Sequence, residues 1–133
     1  PVTMKTTFRV LFTFLLVIGL LTACNKEKDT IAEIKVVSAN GSPVSGAEVR
    51  MYGQSTNKND DVGDIRIDRV QYTSGNGIAT FDYSDLYVKG QSGFAILDVD
   101  ITKTYPDNTV FMQGIMKVVE EQTNKKTFTL IGQ

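Results

Sequence analysis

The hydrophobic pattern divides the chain into two unlike parts. Residues 10–21 form an unbroken apolar run, whereas from residue 31 onward apolar and polar residues alternate in short segments. The run is shorter than the roughly 20 residues that a helix needs to cross a bilayer. Lys5 and Arg9 precede it and small residues follow it, which is typical of a helical, cleaved secretory signal peptide. A buried or membrane-spanning N-terminal helix is the alternative.

Alternation with a period of two predicts β-strands along the remainder of the chain. In the clearest segment, Leu97, Val99 and Ile101 point one way, and Asp98 and Asp100 point the other way. The predicted strands cover residues 32–36, 47–52, 64–73, 78–81, 94–103, 110–121 and 127–131. Turn residues separate them, and a single helical turn is possible only around residues 83–87.

Seven short strands without a long helix predict an all-β fold, an antiparallel β-sandwich, with a barrel as the alternative. Within the third strand, the apolar phase shifts between Ile67 and Val70, which predicts a bulge or bend there. Residues 123–126 are the predicted turn between the last two strands. Four phenylalanines are predicted to lie in the core: Phe81, Phe94, Phe111 and Phe128.

Composition excludes several classes of chemistry. The chain has no histidine and a single cysteine, so it can form no intramolecular disulfide, catalytic triad with histidine or mixed Cys/His zinc site. Removing Lys5 and Arg9 with the leader leaves 12 basic against 15 acidic residues, a net charge of −3. No basic patch is interleaved with aromatic residues, so nucleic acid is not an expected partner.

The residues at the end of the apolar run decide which kind of signal this is. Leu21-Thr22-Ala23-Cys24 resembles the lipobox of bacterial lipoproteins. The resemblance implies that Cys24 is lipidated and that the leader is cleaved before it. The expected organisation is then a signal peptide at 1–23, a lipidated flexible tether at 24–30 and a sandwich domain at 31–133. Multiple acyl chains anchor a protein stably to a membrane.

The lipobox also implies a location. Asn25 is not the aspartate that directs retention in the inner membrane, so we expect an outer-membrane lipoprotein of the cell envelope, either periplasmic or surface-exposed. Its expected partners are the membrane, through the lipid, and envelope proteins or glycans. No cofactor is expected.

Two blocks of the predicted domain carry a second resemblance. The block at 34–49 contains Asn-Gly-Ser-Pro-Val-Ser-Gly-Ala between two strands, and the block at 72–81 contains Ser-Gly-Asn-Gly before a strand. Together they resemble carboxypeptidase-regulatory-like and transthyretin-like domains, which implies an Ig-like or transthyretin-like sandwich. Gly41 and Gly46 supply the backbone freedom that these turns need. Histidine-dependent transthyretin-type hydrolysis is not implied, because this chain has no histidine.

Three further sets of residues are candidates for chemistry. Asp98 and Asp100 lie about 7 Å apart by strand geometry, which is compatible with a carboxylate-based hydrolase but also with a solvated strand face. The polar loop at 55–63 and the residue after it provide calcium candidates: Asn57, Asn59, Asp61 and Asp64. Five tyrosines form a candidate ligand platform: Tyr52, Tyr72, Tyr83, Tyr87 and Tyr105.

The residue pattern therefore favours a non-enzymatic, lipid-anchored β-sandwich module with a binding or structural role at the envelope. A carbohydrate- or nutrient-binding accessory lipoprotein is the first alternative, and an exposed tyrosine cluster on one sheet face would favour it. A hydrolase that uses Asp98 and Asp100 is the second alternative. It requires these carboxylates to line a cleft.

Replacing the lipobox cysteine tests the anchor. We expect Cys24→Ala to abolish labelling by radioactive palmitate and to leave the leader uncleaved, because the thiol is the acceptor of the lipid. Labelling is measured on the immunoprecipitated full chain, with Ser38→Ala as a control that keeps the lipobox intact. Labelling that persists in the Cys24→Ala chain would refute the assignment.

Overall fold

The computed structural model describes residues 3, 4, 6, 7, 9, 10, 12, 28–54, 66–86 and 93–132. The described positions before residue 13 have helical backbone, and the lipobox lies outside the described residues. No helix among the described residues is both long and apolar enough to cross a membrane.

Among the described residues, seven strands form the domain, as the alternation predicts. The strands are β1 (Ile31–Ser38), β2 (Glu48–Tyr52), β3 (Arg69–Tyr72), β4 (Ile78–Asp82), β5 (Phe94–Thr104), β6 (Thr109–Val119) and β7 (Thr123–Leu130). A single 3-10 turn, Ser84–Leu86, follows β4 at the predicted place. The strands pair into a three-stranded sheet of order β4-β1-β7 and a four-stranded sheet of order β3-β2-β5-β6. The predicted all-β sandwich is confirmed.

The sandwich is not purely antiparallel, so that part of the prediction is wrong. β1 runs parallel to β7 along its whole length, from the pair Ile31–Thr123 to the pair Ser38–Leu130. The physical reason is the number of reversals: each successive strand turns back on the one before, so the first and seventh strands point the same way. β6 lies in the other sheet, which leaves β7 free to pair with β1.

The core lies between the two sheets and contains the residues that the alternation assigned to it. β1 contributes Ala32, Ile34 and Val36, all fully buried, and β5 contributes Val99 and Ile101, also fully buried. Fully burying one of these valine or isoleucine side chains stabilises a fold by about 1.5–3 kcal/mol, so the register that keeps them between the sheets is strongly favoured.

Of the four phenylalanines predicted in the core, two lie there. Phe81 and Phe128 are 1% and 5% exposed, whereas Phe94 and Phe111 are 61% and 57% exposed. The prediction is wrong for the latter pair because both share strand parity with polar neighbours. They lie on the opposite side of the four-stranded sheet from the core.

Two element boundaries also differ from the prediction. The third strand, expected over 64–73, is limited to Arg69–Tyr72, because Ile67 lies in a turn rather than in a bulged strand. The last hairpin turns at residues 120–122 instead of 123–126. Glu121 adopts a φ of 54° there, a left-handed conformation that is uncommon for glutamate and that the sequence therefore does not indicate.

The two blocks that carry the regulatory-like resemblance contact each other through Thr73. Its buried hydroxyl donates to the Val44 carbonyl at 2.6 Å and accepts from the Ala47 amide at 2.8 Å. Gly46 lies between these partners with a φ of 67°, and Gly41 has a φ of 84°, as the turn chemistry predicts. The hydroxyl thus joins the start of β2 to the end of β3.

The start of β1 is held at the end of the sandwich where the predicted tether would enter, which we call the tether end. Thr30 is 2% exposed, its hydroxyl accepts from the Glu121 amide at 2.9 Å, and its own amide donates to Ser84 Oγ at 3.0 Å. The side-chain amide of Asn124 donates to the Ile31 carbonyl at 3.2 Å. Thr30 therefore belongs to the hydrogen-bonded structure of the sandwich.

Phe128 closes the core beneath a glycine of the edge strand. A Cβ built on Gly114 would lie 2.4 Å from Phe128 Cε1, far inside van der Waals contact. β6 therefore passes over the ring only because position 114 has no side chain.

We expect Gly114→Ala to destabilise the fold by about 1–3 kcal/mol, the range for overpacking a well-filled core. Gly75→Ala is the matched control, because a Cβ there meets nothing within 4 Å. Urea unfolding followed by circular dichroism measures both. Equal unfolding free energies for the two variants would contradict this role of Gly114.

Candidate functional site

The four-stranded sheet has an outward side that is unusually apolar, which we call the apolar face. Strand register places its members on one side of β3, β2, β5 and β6, opposite the core. They are Val70, Tyr72, Glu48, Arg50, Tyr52, Phe94, Ile96, Asp98, Asp100, Thr102, Phe111, Gln113, Ile115, Lys117 and Val119. Six large apolar side chains among them are 45–63% exposed: Val70, Tyr72, Phe94, Ile96, Phe111 and Ile115.

The outward side of the three-stranded sheet is different, and we call it the polar face. It presents Glu33, Lys35, Thr80, Lys125 and Thr127 beside three half-buried aliphatic side chains, Ile31, Val37 and Ile78, and Lys125 is paired to Glu33 at 3.0 Å. No large exposed apolar side chain among the described residues lies on it. The two faces of one small domain thus differ sharply, and an exposed apolar patch on one side is the usual mark of an interaction surface.

A hydrogen-bonded group of polar side chains crosses the middle of the apolar face. Arg50 forms a two-pronged ion pair with Asp68, at 2.9 Å and 2.8 Å, and its guanidinium lies 4.7 Å from the ring centre of Tyr52. Asp100 accepts from the Tyr52 hydroxyl at 3.4 Å and from Gln113 Nε2 at 3.1 Å. These contacts fix the side chains on β2, β5 and β6 in one arrangement.

The electrostatics of this group follow from its contacts. The hydrogen bond from Arg50 lowers the pKa of Asp68. Burial raises the pKa of Tyr52, and the nearby Asp100 charge adds to the effect. The hydrogen bond to Glu48 raises the pKa of Tyr72, whose hydroxyl donates to that carboxylate at 2.9 Å. Asp68 is therefore ionised and the two phenols are neutral at neutral pH.

The apolar face ends at β6, the edge strand, and part of this edge is covered by side chains from β7. Lys126 Nζ donates to the Ile115 carbonyl at 2.5 Å. The side chain of Asn124 accepts from the Val119 amide at 3.0 Å and donates to the Val119 carbonyl at 2.9 Å. On the face itself, Lys117 Nζ lies 4.2 Å from the ring centre of Phe94.

Asp98 and Asp100, the candidate carboxylate pair for hydrolysis, project from the apolar face as the alternation predicts. Both are half-buried by neighbouring side chains on the sheet surface, and Asp100 is held by Tyr52 and Gln113. The pair lies on the outer surface of a sheet, among aliphatic and aromatic neighbours. This arrangement gives no support to the hydrolase alternative.

The four tyrosines among the described residues do not form the cluster that would favour carbohydrate binding. Tyr83 is a core residue, 1% exposed, and stacks on Phe81 with ring centres 6.2 Å apart. Tyr52 and Tyr72 share the apolar face but lie two outward positions apart along the strands. Tyr105 packs against the core from the far end, and Tyr87 lies outside the described residues.

Two predicted sets of site residues lie outside the described residues. One is the lipobox with Cys24, and the other is the calcium candidate set Asn57, Asn59, Asp61 and Asp64. Both stay predictions. Within the part of the chain that the structure describes, no group of three or more His, Cys, Asp or Glu side chains could hold a metal ion.

The apolar members of this face were missed from the sequence, although a signal was present. Phe94 and Ile96 have the same strand parity as Asp98 and Asp100, so a single alternating strand must place all four on one side. Ile115 shares parity with Lys117 in the same way. A large apolar residue in phase with charged ones is the pattern of an exposed hydrophobic surface.

The Arg50–Asp68 ion pair makes a testable contribution to stability. Because the folded pKa of Asp68 is lowered, its stabilising effect is complete above the unfolded pKa, about 3.9, and is lost as pH falls through the folded pKa. We expect Asp68→Asn to lower the free energy of unfolding by about 0.5–1 kcal/mol at pH 7, the range for partly exposed pairs. The difference should shrink below about pH 4.

Urea unfolding at a series of pH values measures this difference, and Asp107→Asn, an exposed turn substitution, is the control. A difference between the parent chain and Asp68→Asn that grows as the pH falls would contradict a lowered folded pKa for Asp68.

Comparison with known proteins gives limited similarity. No protein-family model matches the chain, and no curated protein matches it. Among solved structures, the chain is similar to BcpA, the major pilin subunit of Bacillus cereus, with a TM-score of 0.48 and 16% sequence identity. The match covers 77% of this chain and 30% of the pilin chain, so this chain spans less than a third of the pilin's length.

Proposed function

We propose that this protein is a non-catalytic, lipid-anchored module of the bacterial cell envelope that binds a protein partner through the apolar face. The observation that carries the binding role is the concentration of six large exposed apolar side chains on one side of one sheet. The opposite face of the same sandwich is polar. A monomer with no partner gains nothing from such an asymmetry, since exposed apolar surface invites association.

The anchor is supported by the lipobox resemblance of Leu21-Thr22-Ala23-Cys24 and by the leader before it. Thr30, the first buried residue of the sandwich, follows Cys24 by only six positions. A chain of that length reaches at most about 20 Å. The tether end of the sandwich is therefore held near the membrane, and the apolar face extends away from it. The outer membrane is the proposed location.

The non-catalytic part of the proposal is supported by composition and by placement. The chain has no histidine, and its cysteine is assigned to the lipid. The candidate aspartates for hydrolysis lie on the sheet surface, where Asp100 serves a hydrogen-bonded group. We also propose that the sandwich is related to the carboxypeptidase-regulatory-like domains. Such a relationship would likewise favour a binding module over an enzyme.

Site-specific photocrosslinking in the producing cells tests the binding role. We expect a photoreactive phenylalanine analogue at Phe111, on the apolar face, to give a discrete crosslinked product. The same analogue at Thr127, exposed on the polar face, should give none. The yield from position 111 should fall at least fivefold when Ile96 and Ile115 are both replaced by asparagine, because the aliphatic contact is lost.

Equal products from the two positions, or none from position 111, would refute a binding role for the apolar face. Membrane fractionation of the Cys24→Ala chain, run in parallel, reports on the anchor separately.

A further inference from the structure

The outer edge of β6 divides into a covered half and an open half. In an antiparallel ladder, the main-chain groups of successive residues point alternately to the two sides of a strand. The Ile115 carbonyl and both main-chain groups of Val119 point away from β5, so the odd-numbered residues of β6 face the edge. Lys126 and Asn124 occupy these three groups, and we call Ile115–Val119 the covered half.

The open half is Thr109–Gln113. Among the described residues, no hydrogen bond reaches the edge-facing N–H and C=O groups of Phe111 and Gln113. The side chains of both residues lie on the apolar face, and Phe111 is 57% exposed. Unpaired main-chain groups therefore run alongside exposed apolar surface in this half of the edge.

We propose that the partner of the apolar face presents an extended segment, which pairs as an added strand with the open half of β6. The inference rests on the proposed function and specifies how its protein partner is bound. A polypeptide main chain supplies alternating donors and acceptors that match Phe111 and Gln113, which lie about 7 Å apart along β6. Strand addition combines such main-chain hydrogen bonds with contacts of alternate side chains.

The apolar face also determines which side chains this segment carries. Residues of the segment that pair with Phe111 and Gln113 place their side chains on the same side of the sheet. Phe111 has Thr102 beside it on β5 and an open edge on its other side. An aromatic or β-branched residue opposite Phe111 therefore covers the exposed ring.

Charge adds a basic residue to this description. The ion pair with Asp68 neutralises Arg50. The face then carries three carboxylates against a single ammonium group, those of Glu48, Asp98, Asp100 and Lys117. Asp100 lies beside Gln113, about 10 Å or two strand spacings from an added strand, a distance that an arginine or lysine side chain spans. Charge complementarity thus favours a segment with net positive charge.

The other sheet edges fit such a segment less well. At β4, two carbonyls already accept hydrogen bonds, Ile78 from the Ser74 amide and Asp82 from the Arg69 guanidinium. β3 is only four residues long. The outward side chains of β7 are those of the polar face. The open half of β6 joins a longer unpaired edge to exposed apolar side chains.

A second copy of this chain does not fit the open half in the proposed orientation. Two copies of β6 paired edge to edge about a two-fold axis run antiparallel. Pairing centred on Phe111 puts the two copies of Val119, at the tether end, about 50 Å apart along the strands. The tether reaches at most about 20 Å, so only one tether end would lie at the membrane. The partner is therefore a different chain.

Proline substitution tests the main-chain pairing. The probe is the photoreactive phenylalanine analogue at Phe111, in the full chain in the producing cells. We expect Gln113→Pro to lower the crosslinked yield at least fivefold, because proline lacks the edge-facing N–H. The ladder with β5 stays intact, since that N–H points away from it. Gln113→Ala keeps the N–H, and Lys117→Pro makes the same change in the covered half, so both should stay within twofold of the parent.

Moving the probe gives a second measurement that does not depend on proline. The same analogue at Gln113 should give the crosslinked product. At Lys117, on the same face but beside the covered half, the yield should be at least fivefold lower. Mass spectrometry should place the link in a run of five or more partner residues that alternates apolar and polar side chains and includes a lysine or arginine.

The outcomes separate this inference from the proposed function. Equal yields from positions 113 and 117 overturn strand pairing and leave the binding role of the apolar face standing. So does a Gln113→Pro chain that is folded by circular dichroism and crosslinks like the parent, or a loss of yield in Gln113→Ala equal to that in Gln113→Pro. If Gln113→Pro does not fold, the comparison of positions 113 and 117 decides.

The identity of the product gives the remaining outcomes. A product of twice the chain mass, a link to lipid, or a link in a segment without this alternation overturns the inference in favour of another occupant. Absence of any product from the parent chain refutes the proposed function, and the inference falls with it.

Discussion

The pairing of β5 with both β2 and β6 is the constraint on which the rest of this structure depends. β5 is eleven residues long, and its register fixes which side chains of three strands enter the core and which leave it. A slip of one residue would move Val99 and Ile101 to solvent and drive Asp98 and Asp100 into the core. The burial of two aliphatic side chains against the cost of two buried carboxylates makes the observed register far more stable than its neighbour.

The same register builds the apolar face. Because Leu97, Val99 and Ile101 point into the core, Phe94 and Ile96 must project outward beside the aspartates. The exposed hydrophobic surface is thus a direct consequence of the strand that organises the core. A surface of this kind is held rigidly by the sheet beneath it, which favours selective contact with one partner geometry.

Much of the fold could be predicted from the sequence because the central strands of a sandwich alternate cleanly. β1, β2 and β5 each bury one side and expose the other, so period-two alternation identifies both the strands and their core residues. β3 is an edge strand of four residues, and its apolar members, Val70 and Tyr72, face outward. The predicted range of this strand, 64–73, is too long because the apolar pattern continues through Ile67, which lies in a turn.

The remaining differences have equally local causes. The turn between β6 and β7 uses Glu121 in a left-handed conformation, with no glycine or proline to mark it, so its position could not be recognised. The parallel pairing of β1 with β7 joins the first and last strands of the domain. It depends on which sheet β7 enters, and the local alternation of residues carries no information on that. The apolar face could nevertheless be recognised in the sequence, because Phe94 and Ile96 are in phase with Asp98, and Ile115 is in phase with Lys117.

The side chains of Lys126 and Asn124 along the edge of β6 limit the pairing of further strands with this edge. An open edge strand next to exposed apolar residues is a template on which further chains can add without limit. The ammonium group on the Ile115 carbonyl and the amide on Val119 occupy main-chain groups that an incoming strand would need. Growth of a continuous sheet through this edge is thereby obstructed. The exposed apolar side chains of this sheet therefore lie beside an edge that cannot pair with a further strand at these positions.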